Sequence, residues 1–125
     1  MRYGCIASLF VLADLTTAAV ARTDISCSIR EVVVEEGSGK GASSIHEKSL
    51  SFWLDDASKT IMLADGAALT VTRFDDNWIS AKHGSISFEF DRRRHRLSYA
   101  SSTERDRVTT VIFGSGRCES EPHRP

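Results

Sequence analysis

Glutamine is absent from this chain, asparagine occurs once, and both prolines fall within the last four residues. The amide shortage is a bias of composition that carries no chemistry. The lack of a dominant charge excludes more: 16 Lys and Arg stand against 17 Asp and Glu, for a formal net charge of −1. Nothing global in that balance argues for nucleic acid or for an anionic membrane as a partner. Helical periodicity is missing as well, since no sustained stretch after residue 21 repeats its apolar residues at three- and four-residue spacing. Motifs for chemistry are equally sparse. No serine sits in a Gly-x-Ser-x-Gly turn. His46, His83, His95 and His123 have neither of the short spacings that pair histidines on a metal. The Gly- and Ser-rich stretch 36–44 reads as a flexible loop and lacks the following helix that a phosphate cradle needs. The reading leans away from an enzyme and implies no metal and no cofactor.

Cysteine is scarce too, at three in the chain, and the first 21 residues decide what the three can do. Arg2 is a minimal positive start, the run from Tyr3 to Ala13 is apolar, and Ala19-Val20-Ala21 has the small-x-small form of a cleavage site. The expectation is a signal peptide over 1–21, cut after Ala21, which takes Cys5 away. Asp14 interrupts the apolar run and makes the same segment a poor membrane span. Asp24 spoils the apolar approach to Cys27 that a lipid-modified cysteine requires. No stable membrane anchor is therefore expected after cleavage. Cys27 and Cys118 then form one pair at the two ends of a single domain over 22–118, with 119–125 a disordered tail. An even cysteine count behind an export signal places the domain in an oxidising compartment, periplasmic or extracellular, where a Cys27–Cys118 disulfide persists.

What the remaining chain does contain is period-two alternation. Leu50, Phe52 and Leu54 oppose Ser49 and Ser51, and Ile86, Phe88 and Phe90 oppose Ser85, Ser87, Glu89 and Asp91. Such alternation gives half-buried strands. About eight are expected, near 27–35, 47–54, 59–63, 68–74, 77–82, 85–91, 95–100 and 107–114. The turn-like links at Asp65-Gly66, Asp75-Asp76, His83-Gly84 and the Asp91 to Arg94 corner favour antiparallel neighbours. The fold class is all-β, an up-and-down meander closed into a small barrel or flattened sandwich. Closure makes the first and last strands neighbours, where Cys27 and Cys118 can meet. Phe52-Trp53-Leu54-Asp55 also aligns with Phe88-Glu89-Phe90-Asp91 at an offset of 36 residues, and Lys59, Ile61 and Leu63 fall on His95, Leu97 and Tyr99. The alignment reads as a duplicated hairpin, or as the likeness any two hairpins share.

The candidate binding surface is Arg92, Arg93, Arg94 and Arg96 together with Trp53. Four guanidinium groups within five positions could grip a phosphate, a carboxylate or a lipid head group, or could simply pair with Glu89, Asp91 and Glu104 at a solvated turn. Trp53 points opposite to Phe52 and Leu54, toward solvent or a partner. Trp78 shares a face with Ser80 and Lys82. Asp55-Asp56 and Asp75-Asp76 each follow a strand and lack the alternating oxygens of a calcium loop, so they read as turn initiators.

Phe88, Phe90, Asp91-Arg92, Leu97, Tyr99 and the ending Gly116-Arg117-Cys118 carry a resemblance to small, uncharacterised exported β-proteins of Gram-negative bacteria. The resemblance implies an exported β-fold and attaches no activity to it. A second one is to periplasmic lysozyme inhibitors of the small-barrel type. Their inhibitory loop carries Ser-Gly-x-x-Tyr, whereas Gly84-Ser85-Ile86-Ser87-Phe88 inverts the first two residues and has no Tyr. The expected function is non-catalytic binding or a structural role, with a protein or an anionic ligand as partner. The alternatives are inhibition of a secreted enzyme and a small-ligand barrel with an interior pocket.

Overall fold

A computed structural model describes residues 22–37 and 40–122. The segment read as a signal peptide, its cleavage point after Ala21, and His123 lie outside the described residues. Eight strands follow one another: β1 (Arg22–Gly37), β2 (Lys40–Asp55), β3 (Thr60–Leu63), β4 (Thr70–Phe74), β5 (Trp78–His83), β6 (Ile86–Asp91), β7 (Arg96–Arg105) and β8 (Val108–Pro122). All ladders are antiparallel, in the order β3-β2-β1-β8-β7-β6-β5-β4, and no helix occurs among the described residues. The first and last strands are neighbours, as closure requires.

The sheet curls until its two end strands, β3 and β4, come together. There β3 bridges the segment that leads into β4, Met62 with Ala68, supported by the Leu69 amide on the Ile61 carbonyl at 3.2 Å. The barrel is thus nearly closed, and its seam lies between two strands adjacent in sequence. Alternation sends Ile25, Cys27 and Ile29 of β1, Phe52 and Leu54 of β2, Ile79 and Ala81 of β5, Phe88 and Phe90 of β6, and Leu97 and Tyr99 of β7 inward. With Ile61, Leu69 and Cys118 they fill the interior. Phe52 and Phe90 meet edge to face across it, their centroids 5.5 Å apart, a geometry aromatic rings favour.

Two segments expected to be irregular are strand. In place of a flexible loop over 36–44, β1 and β2 stay paired out to Gly37 and Lys40, leaving a two-residue connection. A continuous ladder satisfies the backbone there whatever the side chains are. The tail expected from 119 is likewise paired, since β8 runs to Pro122 opposite Thr23. Because β3 covers only Phe52–Asp55 of β2, and β6 reaches only Ser101 of β7, four strands in the order β2-β1-β8-β7 project beyond the barrel.

The two aligned hairpins share one turn geometry. Asp55 Oδ1 accepts the amides of Ala57 and Ser58, and Asp91 Oδ1 those of Arg93 and Arg94. Each turn closes on a residue at positive φ, Lys59 at 55° and His95 at 53°. Asp75 caps the β4–β5 turn in the same way, through Asn77 and Trp78.

Candidate functional site

Cys27 and Cys118 are register partners on β1 and β8, bonded through sulfur, with Cα atoms 4.0 Å apart. So short a separation marks a pair whose own amides and carbonyls point away from each other. The disulfide staples the neighbouring first and last strands from inside the core.

The arginine corner does not act as one cluster. Arg92 turns back across the seam: Nη1 and Nη2 donate to Asp56 Oδ1 and Oδ2 at 2.8 and 3.1 Å, and Nη1 also reaches the Asp75 carbonyl at 3.1 Å. Its guanidinium lies over the Phe74 ring, and its amide bonds the Asn77 carbonyl. Asp56 and Arg92 are equivalent positions of the two aligned hairpins, so the halves are tied through the same turn residue. Arg92 is thus committed to contacts within the fold. Arg93 and Arg94 stay exposed and, with Asn77, Trp78 and Asp91, line an open cleft of about 480 Å³. Arg96 leaves the corner for the outer face of β7, directly opposite Arg117 of β8.

Trp53 faces outward as expected, but Arg22 covers it, with its guanidinium carbon 3.9 Å from the ring centroid. Trp78 is also outward. Its indole N–H and the Ser80 hydroxyl both donate to Glu89 Oε2, at 2.6 and 2.5 Å.

Antiparallel register lines up side chains across the outer face. Ile45, Val32, Phe113 and Ala100 form one row over β2, β1, β8 and β7. Ile45 is 64% exposed and Phe113 53% exposed, the large apolar side chains most open to water among the described residues. The next row runs Glu47, Arg30, Ser115, Ser98, Glu89, in which Arg30 pairs with Glu47 at 3.2 Å. Across these rows lies a groove of about 440 Å³ lined by the small residues Ser87, Ser98, Ala100 and Ser115 together with Phe113, Val32, Arg30 and Glu89. Small residues create the depression; large apolar and charged residues frame it. An extended segment of mixed character fits such a surface better than a point charge does.

On the inner face, at the level where the barrel opens, Tyr99 donates its hydroxyl to Glu31 Oε2 at 2.5 Å, and Lys48 Nζ pairs with the same oxygen at 3.0 Å. The tyrosine bond, opposed by burial and aided by Lys48, holds the Glu31 carboxyl below its usual range. Burial and the Glu31 contact push the Tyr99 phenol well above its own. Arg73 beside Asp75, with the turn amides, lowers that carboxyl as well. His46 bonds Ser44, and His95 occupies a turn.

Phe113, Ile45, Arg30 and Glu31 escaped the sequence reading, because each gains meaning only from its register partners. Comparison of the chain with family models, with curated proteins and with solved structures finds no match.

Proposed function

We propose that the protein is an exported, non-catalytic binding domain that holds a protein partner on the outer face of its barrel, at the groove framed by Phe113, Val32, Arg30 and Glu89. The observation that carries this reading is the outer row itself: two large apolar side chains, Ile45 and Phe113, stand more than half exposed beside a shaped depression. Exposed apolar surface beside charged groups is characteristic of interaction sites. The Cys27–Cys118 disulfide is compatible with an oxidising compartment, and the likeness to exported β-proteins points the same way. A filled interior argues against a small-ligand barrel. A secreted enzyme is the partner class in keeping with the likeness to small-barrel inhibitors.

The test is capture from an oxidised extract by the wild-type protein, by Phe113→Ser and by a control, Lys59→Asn, in the β2–β3 turn. A central aromatic anchor is worth about 2 kcal/mol or more. A partner retained by wild type and control should therefore be lost roughly thirtyfold with Phe113→Ser, at unchanged circular dichroism. Equal retention by all three would remove the groove from the account.

A further inference from the structure

The longest exposed backbone in the fold is the free side of β2. Residues 40–50 pair with β1 on one side and, among the described residues, with no strand on the other. Which groups face that open side follows from the disulfide pair. The short Cα separation of Cys27 and Cys118 turns the Cys27 amide and carbonyl toward Leu50, so even-numbered residues of β2 bond β1 and odd-numbered ones face outward from the edge. The Ser51 carbonyl agrees, since it accepts the Ala64 amide from that side at 3.0 Å. Gly41, Ser43, Ile45, Glu47 and Ser49 are left presenting their N–H and C=O groups along an edge that invites another strand.

We propose that this edge pairs with the same edge of a second copy of the chain, antiparallel about a two-fold axis at Ile45. In this register Ile45 meets Ile45 of the second copy, Ser43 meets Glu47, and Gly41 meets Ser49, so every edge-facing residue bonds. On the inner face Ser44 meets His46 and Ala42 meets Lys48, and no like charges oppose. Centring on Glu47 instead sets two carboxylates against each other and claims the Ser51 carbonyl, which already has a partner. Centring on His46 sets Ile45 against a carboxylate. The Ile45 register also joins the two outer rows, so that Phe113, Val32 and Ile45 continue into the same residues of the second copy and the most exposed apolar side chain is covered. One strand pair with that row is a small interface, about 1,200 Å² or less in total, the size of weak, transient associations. The pairing shares Ile45 with the outer row of the proposed function but uses the backbone edge of β2, and the groove beside Phe113 is not part of the strand pair.

Sedimentation of the purified oxidised protein across micromolar concentrations should give a mass rising from one chain to two. Ile45→Lys should remain at one chain with an unchanged melting curve. Cysteine substitutions fix the register. In an edge-bonded pair the Cα atoms lie about 5.5 Å apart, so Ile45→Cys should form a covalent dimer on mild oxidation. Ser43→Cys should not link to itself, being about 13 Å from its own copy along the strand, but should link to Glu47→Cys when the two are mixed. A single-chain mass up to millimolar concentration, a dimer that survives Ile45→Lys, or self-linking of Ser43→Cys as efficient as that of Ile45→Cys would overturn the proposal.

Discussion

Tyr99 can cross from β7 to Glu31 on β1 because the intervening strand carries Gly114, where an added Cβ would run into the tyrosine ring. Gly116, two residues on, is needed for a different reason: a Cβ there would strike the Ser28 carbonyl, so β1 and β8 could not approach as they do beside the disulfide. The Tyr99–Glu31 bond has a charged acceptor and a largely buried setting, so Tyr99→Phe is expected to destabilise the fold by about 1.5 to 3 kcal/mol at neutral pH. The pH dependence carries a sign. Glu31 titrates below its ordinary range when folded, so its contribution is present at neutral pH and lost as pH falls through that lowered value. Tyr99 titrates above its ordinary range, so its contribution is present at neutral pH and lost as pH rises past the usual tyrosine region. Urea unfolding at a series of pH values should therefore find the gap between wild type and Tyr99→Phe widest near neutrality and narrowing at both extremes. A gap independent of pH would contradict this linkage.

At the scale of elements, the weak point is the seam. β1 and β8 share a ladder from Thr23 to Glu36, whereas at the seam β3 makes a single bridge, to Ala68 in the segment just before β4. Arg92 compensates by tying the β2–β3, β4–β5 and β6–β7 turns together at one end of the barrel. Arg92→Met keeps much of the apolar stem and loses the bonds. It should cost about 1 to 2 kcal/mol and speed hydrogen exchange at Leu63 and Leu69, leaving amides of the β1–β8 ladder protected. Uniform acceleration across all strands would show that the seam has no special dependence on Arg92. Much at this scale was legible beforehand. Alternation located the strands because each buries one face, and aspartates marked turns because a carboxylate can bond amides two and three residues ahead. The extensions of β1, β2 and β8 were not legible. Residues 36 and 37 add no apolar side chain to the strand expected over 27–35, 41–46 is exposed on both faces with Ile45 as its one large apolar residue, and 119–122 holds no core residue, so only pairing makes them strand. The groove was hidden for a related reason: its lining comes from β1, β6, β7 and β8 at one level, and that level is a property of register. The arginine corner misled because neighbours in sequence diverge at a turn, one into the seam and one onto the sheet.

For the whole molecule, the division of labour is between a filled interior and a patterned exterior. The disulfide joins strands 91 residues apart in sequence, and in the chain-entropy picture such a closure stabilises by about 4 to 5 kcal/mol. That is a large part of the roughly 5 to 15 kcal/mol typical of a domain, so the barrel and the outer face it displays depend on an oxidised Cys27–Cys118 pair. The measurement that tests this most directly is the intact mass of the protein recovered from the exported fraction of expressing bacteria, with thiol alkylation before and after reduction. The account predicts a chain beginning at Arg22 that takes up two alkyl groups only after reduction. A chain that retains Met1 and carries freely reactive thiols would contradict it.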